Sequence, residues 1–312
     1  MNYADFHRRS LEDRDAFWAE QARLIDWQTP FTQVCDYSNT PFARWVVGGT
    51  TNLCHHAVDR HLATRPDQNA LIFVSTETNR EHCYSFRELH AEVQRMAATL
   101  LSLGVKKGDR VLIYMPMIAE AAFAMLACAR IGALHSVVFG GFAAVSLATR
   151  IDDAEPTVIV SADAGSRGGK VVAYKPLLDE AIKLATHKPA KVLMVDRGLA
   201  PFARVEDRDE DYAVWRDGHA DTQVPCEWVD STHSSYAVHQ RHDRQTQGRA
   251  ARYRRLRRGA GCQHEAHLLR QRWRDLLFDQ RHRLGGGPQL HRLWPAHRRH
   301  GDHPLRRSAH AA

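Results

Sequence analysis

The chain has 312 residues, enough for one large domain or two smaller ones, and its overall composition is ordinary for a soluble protein. No apolar run approaches the roughly 18 residues that a membrane span needs, and the N-terminus lacks the apolar core of a signal peptide. Six cysteines without a CxxC pair indicate neither a disulfide framework nor a zinc site. We therefore expect a cytoplasmic protein with no membrane partner.

The charge is distributed unevenly along the chain. Residues 1–236 carry 25 Lys and Arg against 31 Asp and Glu, whereas residues 237–312 carry 18 Arg, no Lys and five acids. The first part has a net charge of −6 and the second of +13, so the overall +7 describes neither. The overall charge is thus no argument that the first part binds nucleic acid.

Residues 1–45 mix aromatic and charged side chains and are predicted to form an irregular extension over a domain surface. Ser85–Glu88 is a capping box, which predicts a helix start, and apolar residues then recur at helical spacing until Gly104. Strands and helices alternate beyond that point. The predicted strands are 110–114, 134–139, 157–160 and 191–195, and the predicted helices are 118–130, 144–152 and 174–185.

The alternation over short connections predicts βαβ units. The strands are continuous apolar runs, as expected for a parallel sheet covered on both faces. The predicted fold class is therefore α/β, with residues 198–235 polar and irregular.

Two glycine-rich turns follow predicted strands. Phe139-Gly140-Gly141 lies between a strand and a helix, where a loop can bind a ligand or simply make a tight turn that needs positive φ. Gly165–Lys170 offers the forked guanidinium of Arg167 and the point charge of Lys170, which suit a phosphate, although a solvated loop would look the same. Neither turn is a GxGxxG or GxxxxGK[ST] motif.

Other candidate residues favour structural roles. His55 and His56 are interpreted as surface or capping residues, not metal ligands, and Cys54 as a packed thiol without a recognisable arrangement of charges around it. No catalytic constellation is apparent in residues 1–236, and no metal site is predicted.

Several segments resemble the short-chain acyl-CoA synthetases, the acetyl- and propionyl-CoA synthetase group of the adenylate-forming enzymes. Leu126–Phe142 is the longest and most specific of them, and Ile25–Gln33 is similar to the propionate branch in particular. The resemblance runs from about Tyr3 to Tyr236. The other segments are Trp45 with Gly48–Cys54 and Asp59–Arg60, Gly108–Met117, and Ser161–Lys170.

The resemblance implies an enzyme that activates propionate or acetate with ATP and Mg²⁺ to an acyl-adenylate and then transfers the acyl group to CoA. It implies that Arg167, Gly168, Gly169 and Lys170 bind CoA, with the loop Phe139, Gly140 and Gly141 beside them. The implied organisation is an N-terminal extension (1–45), a partial AMP-binding domain (46–236) and a tail (237–312).

The resemblance stops after Tyr236, where the family continues Thr-Ser-Gly-Thr-Thr-Gly-Lys-Pro-Lys-Gly, the loop that holds the ATP phosphates. Codons permitted for His239–Gly248 spell that motif when they are shifted by one base, and codons for Asp279–Trp294 shift into a second family motif. We therefore predict a frameshift just after Tyr236, a truncated and inactive enzyme without the ATP site, and a disordered tail.

Competing interpretations of the tail are an arginine-rich arm that binds nucleic acid and a His-rich metal tract. An arm of the first kind normally mixes Lys with Arg, and the second should show ligand spacing, for which Cys262-Gln263-His264 is weak. Eighteen Arg without Lys are instead typical of a GC-rich gene translated out of frame.

Overall fold

The computed structural model describes residues 2–39 and 42–230, so the predictions for the tail lie outside the described residues. The N-terminal segment is not irregular, contrary to expectation. Phe17 and Trp18 are buried and pack edge to face, 5.0 Å between ring centroids, and Trp18 also contacts Trp45 at 6.1 Å. The elements are α1 (Tyr3–Glu12), α2 (Arg14–Ala22), β1 (Gln33–Asn39) and β2 (Phe42–Val47), the last two forming an antiparallel pair.

The next segment leads into the main sheet. Its capping box is confirmed, because the Ser85 hydroxyl accepts from the Glu88 amide at 3.2 Å while the Glu88 carboxylate accepts from the Ser85 amide at 2.8 Å. The following helix ends before Gly104, which has φ +91°. The elements are β3 (Thr50–Thr51), α3 (Leu53–Ala57), the antiparallel hairpin of β4 (Asn69–Ser75) and β5 (Arg80–Ser85), and α4 (Phe86–Ser102).

The predicted α/β architecture with a parallel sheet is confirmed. Three of the four predicted apolar strands are almost wholly buried, as coverage on both faces requires, whereas 134–139 lies at the edge of the sheet and leaves Val137 exposed. The elements are β6 (Arg110–Met115), α5 (Ala119–Arg130), β7 (Leu134–Phe139), α6 (Ala144–Ala154), β8 (Val158–Ala162), β9 (Ala164–Arg167), β10 (Lys170–Ala173), α7 (Tyr174–Leu184), β11 (Lys191–Val195), β12 (Asp209–Asp211), α8 (Tyr212–Gly218) and β13 (Val229–Asp230).

Five parallel strands form the sheet in the order β12-β11-β8-β6-β7. Helices α6 and α7 pack on one face over a core that includes Leu112, Ile159 and Met194, while α4, α5 and α8 pack together on the other. The segment predicted as irregular contains β12, α8 and β13, and the Trp215 indole donates to Glu210 at 3.0 Å.

Candidate functional site

The two predicted loops lie at the same edge of the sheet. The chain passes from β6 through α5 to β7 on one side, and then returns through α6 to β8 on the other side of β6. Open parallel sheets bind ligands outside the carboxyl ends of their strands, at the place where the strand order changes direction. Here that crevice is flanked by Pro116, by Gly140 and by the segment Asp163–Gly165.

Two glycines of the first loop are needed for different reasons. Gly141 has φ +87°, a conformation that L side chains avoid, although a Cβ there would meet no atom. At Gly140 the constraint is space, because a Cβ would overlap the hydroxyl of Tyr174. Phe139 ends β7, where its Cα pairs with that of Met115. The loop is therefore both a tight turn and a place of close backbone approach.

The second predicted loop is the turn of a hairpin formed by β9 and β10. Gly168 and Gly169 have φ values of +59° and +78°, and positive φ at both central residues is what a type I′ hairpin turn requires. The register pairs Arg167 with Lys170, so two cationic residues face each other across the turn. Lys170 is exposed to solvent.

Tyr174 joins the two loops. Its ring fills the space next to Gly140 and also next to Gly165, where a Cβ would lie 2.5 Å from the Tyr174 hydroxyl. The ring is 5.0 Å from that of Tyr114, whose hydroxyl donates to the Phe142 carbonyl at 3.4 Å. Burial raises the pKa of Tyr114 to about 12 and also raises that of Tyr174. Both phenols are therefore neutral at pH 7 and serve to position the loops.

The hairpin is held by residues far away in sequence. The Ser166 amide donates to Glu77, in the β4–β5 turn, at 2.8 Å. Arg197, which follows β11, forms an ion pair with Glu77 at 2.5 Å and donates to the Ala164 carbonyl at 2.9 Å. Sequence reasoning missed Glu77 and Arg197, because nothing local marks them. These contacts fix the base of the hairpin and leave its turn free.

A separate cavity of about 560 Å³ lies between β5, α4, α5 and α8. Its charged lining is paired internally: Glu92 accepts from Arg216 at 2.6 and 2.8 Å and from Arg95 at 2.7 Å. Glu120 also lines it, and burial raises the pKa of that carboxyl. None of the residues predicted for CoA binding lines this cavity.

The residues interpreted as structural lie in and near α3. The Asn52 side chain caps this helix by accepting from the His55 amide at 3.1 Å, and His56 Nε2 lies 2.9 Å from the Thr51 hydroxyl. Cys54 is completely buried, as a packed thiol should be. Its surroundings are charged, however, because Arg130 lies 3.5 Å from its sulfur, and the sequence did not reveal this.

Comparison with known proteins defines the class. The family model described as AMP-binding enzyme matches residues 58–239, and the model described as acetyl-coenzyme A synthetase N-terminus matches residues 3–57. The chain therefore belongs to the AMP-binding enzyme family and begins with the N-terminal region of its acetyl-CoA synthetase branch. No helix in the described ranges is long and apolar enough to cross a membrane.

Particular relatives narrow the resemblance. The chain is 60% identical over 235 residues to propionate–CoA ligase from Escherichia coli strain K12. The match covers 75% of this chain and 37% of that protein. It is 44% identical over 241 residues to acetyl-coenzyme A synthetase from Methylobacterium radiotolerans, covering 76% of this chain and 37% of that protein. The structure is similar to acetoacetyl-CoA synthetase from Streptomyces lividans, with a TM-score of 0.67, 30% identity and coverage of 75% of this chain and 35% of that one.

The coverage values also show how much of each relative the chain matches. The chain spans a little over a third of the length of these curated relatives. The resemblance to short-chain acyl-CoA synthetases, with propionate–CoA ligase foremost, is confirmed.

Proposed function

We propose that the described residues form the CoA-binding side of a short-chain acyl-CoA ligase that acts on propionate, with acetate as the alternative substrate. The single observation that favours propionate is the identity of 60% to propionate–CoA ligase against 44% to acetyl-coenzyme A synthetase over a similar length. The whole enzyme would activate the carboxylate with ATP and Mg²⁺ and then transfer the acyl group to CoA.

The carboxyl edge of the sheet supports a CoA site. Arg167 and Lys170 flank a two-glycine turn, Gly168-Gly169, in which the backbone can approach a ligand closely. Cations with fixed spacing suit phosphate oxygens, since charge-assisted hydrogen bonds are the stronger kind. We assign these four residues to the phosphate end of CoA.

The first loop is assigned a weaker role beside the hairpin. Phe139 ends β7 and is followed by Gly140 and Gly141, and the Tyr174 ring packs against both Gly140 and Gly165, at the base of the hairpin. The loop would therefore line the same crevice without supplying charge.

The described residues do not offer a group of side chains that suits Mg²⁺, a further cofactor of the proposed reaction. Among residues 2–39 and 42–230, the group with metal-ligand spacing is Cys54, Asp59 and Cys226, which is rich in sulfur and contains the guanidinium of Arg130. Mg²⁺ takes oxygen ligands, so this group does not suit it. We assign the binding of ATP and Mg²⁺ to the motif that the shifted codons of His239–Gly248 encode.

The domain boundaries follow from this account. Residues 1–45 form the N-terminal extension, 46–236 part of the AMP-binding domain, and 237–312 the product of a shifted frame. The chain as written would lack the donors that stabilise the leaving pyrophosphate and would be inactive. A cytoplasmic location stays a prediction.

A nucleic-acid-binding protein with a basic tail is the competing class. Eighteen Arg in residues 237–312 would bind DNA phosphates non-specifically, and the binding would weaken with salt. Loss of duplex-DNA binding on deletion of residues 237–312, together with no ligase activity in the frame-restored protein, would favour this class.

The direct test of substrate class is CoA thioester formation by the frame-restored protein. The free thiol of CoA should be consumed with ATP and propionate, and more slowly with acetate. Preference for acetate would contradict the propionate assignment, and no consumption with either acid would contradict the proposed function.

A further inference from the structure

Two cysteines distant in sequence meet in the interior. Cys54 lies in α3 and is completely buried, whereas Cys226 precedes β13 and is half-buried. Their sulfurs and a carboxylate oxygen of Asp59 all lie within 4.8 Å of one another, and each thiol donates to Asp59, Cys54 at 3.8 Å and Cys226 at 3.9 Å. Cys226 therefore connects this buried pair to solvent.

The contact is fixed by the fold on both sides. The Asn52 amide, next to α3, donates to the Glu227 carbonyl at 2.7 Å, and Arg130 Nε donates to the Val224 carbonyl at 2.5 Å. β13 also pairs with β3, immediately before α3. These bonds hold the backbone on each side of Cys226, so its approach to Cys54 is not a chance contact of a loose loop.

The position of Arg130 favours a thiolate over a bound metal ion in this cluster. Its guanidinium donates to both oxygens of Asp59 at 2.9 Å and lies 3.5 Å from the sulfur of Cys54. A metal ion bound by Cys54, Asp59 and Cys226 would have to displace this cation or lie beside it. A fixed guanidinium near thiols instead stabilises a thiolate.

The two thiols are unequal. The interaction with the Cys54 thiol lowers the pKa of Cys226, and the charge of Arg130 acts in the same direction, against the opposing effects of burial and of the Asp59 carboxylate. The same interaction, together with burial, raises the pKa of Cys54 well above its usual value. Cys226 is thus the nucleophilic and accessible member, since the thiolate reacts with oxidants.

We propose that Cys54 and Cys226 form a reversible disulfide when the protein meets a hydroperoxide. The Cys226 thiolate attacks the terminal oxygen of the hydroperoxide, the O–O bond breaks, and Cys226 becomes a sulfenic acid while the alkoxide leaves, or hydroxide where the oxidant is hydrogen peroxide. The Cys54 sulfur then attacks that sulfenic sulfur, the S–O bond breaks, and the Cys54 proton leaves with the oxygen as water. Two thiols are oxidised and one peroxide is reduced, and a dithiol reductant reverses the reaction by exchange.

The disulfide would link α3 to the segment that leads out of the described region. A disulfide needs sulfurs about 2.05 Å apart, so the two sulfurs, now within 4.8 Å of each other, would have to move closer on oxidation. The link closes a long loop, and such a loop constrains the unfolded chain. We therefore expect the melting temperature of the oxidised protein to rise.

The experiment is peroxide titration of the reduced, full 312-residue chain, followed by tryptic digestion without reductant and mass spectrometry. Cleavage after Arg44, Arg60, Arg216 and Arg241 places the two cysteines in peptides 45–60 and 217–241. The expected product is the pair of peptides joined with a loss of about 2 Da, abolished by dithiothreitol. Free thiols in the denatured chain should fall by two.

Exposed Cys83 provides the internal control, because an indiscriminate reaction would oxidise it first. Cys83→Ser should leave the linked peptides unchanged, and Cys54→Ser should leave Cys226 as a sulfenic acid that dimedone traps. Oxidation of Cys83 while peptides 45–60 and 217–241 stay unlinked would overturn the proposal. So would stoichiometric binding of Zn²⁺ that Cys54→Ser abolishes, since that result would make the cluster a metal site.

Discussion

Arg130 and Asp59 form a two-point ion pair, with Nη1–Oδ2 and Nη2–Oδ1 distances of 2.9 Å. Arg130 ends α5, and Asp59 lies in the turn after α3, so the pair ties the N-terminal part to the main sheet. The side chains are 4% and 18% exposed, and His90 lies 3.6 Å from the same carboxylate. Removal of one partner would leave a buried charge without compensation.

We therefore expect Asp59→Asn to lower the free energy of unfolding by about 3–5 kcal/mol, the range for breaking one side of a buried ion pair. Urea unfolding followed by tryptophan fluorescence measures this change. Asp67→Asn is the matched control, because it breaks an exposed ion pair with Arg87 at 3.2 Å and should change little. Equal effects of the two substitutions would contradict a special role for the buried pair.

The same carboxylate predicts acid sensitivity. Burial would raise the pKa of Asp59, but the nearby His90 imidazole and the hydrogen bonds from Arg130 outweigh it and hold the pKa well below its usual range. Because the unfolded carboxyl titrates near 3.9, its contribution to stability is present above about pH 4 and is lost as the pH falls further. Unfolding free energies measured from pH 7 down to pH 3 should decline less steeply in Asp59→Asn. Parallel curves would show that other groups dominate.

The packing of Tyr174 between the two loops predicts that the effect of a substitution at Gly165 depends on the side chain at position 174. Gly165→Ala places a Cβ 2.5 Å from the Tyr174 hydroxyl and 3.0 Å from its Cζ. Overpacking of this kind costs about 1–3 kcal/mol. Tyr174→Phe in the same chain removes the nearer atom and should recover much of the loss in thermal stability. Additive effects of the two substitutions would mean that the ring does not confine Gly165.

If the hairpin of β9 and β10 binds CoA, substitutions in it should raise the KM for CoA of the frame-restored enzyme. Arg167→Ala and Lys170→Ala should each raise the KM for CoA by about tenfold or more, since a hydrogen bond to a charged group contributes about 1.5–3 kcal/mol. The KM for propionate should stay unchanged. Lys183→Ala is the control, because Lys183 is an exposed cation on α7, paired only loosely with Glu180 at 3.9 Å. An unchanged KM for CoA in both hairpin variants would refute the assignment.

The sequence predicted the parallel sheet well because local signals are strong there. β7 and β11 begin and end where the apolar runs 134–139 and 191–195 do, and the Ser85–Glu88 capping box marks the start of α4. Buried parallel strands are continuous apolar runs, so their pattern stands out from the helices between them.

Other features depend on distant partners and could not be predicted in the same way. The charges in α1 and α2 obscured the buried faces that Phe17 and Trp18 provide. The hairpin of β4 and β5 exposes Ile72 and Val74, so its strands lack the expected burial pattern. The anchor Glu77–Arg197 joins residues from different parts of the chain, and only the folded topology brings them together.

In the proposed function, residues up to Tyr236 carry the CoA side of a propionate-activating enzyme and a shifted frame replaces its ATP loop. The most direct measurement is propionate-dependent exchange of labelled pyrophosphate into ATP, by the chain as written and by a version with the frame restored after the Tyr236 codon. We predict exchange by the restored protein and none above a propionate-free blank by the chain as written. Exchange by the chain as written, or no exchange after restoration, would contradict the account.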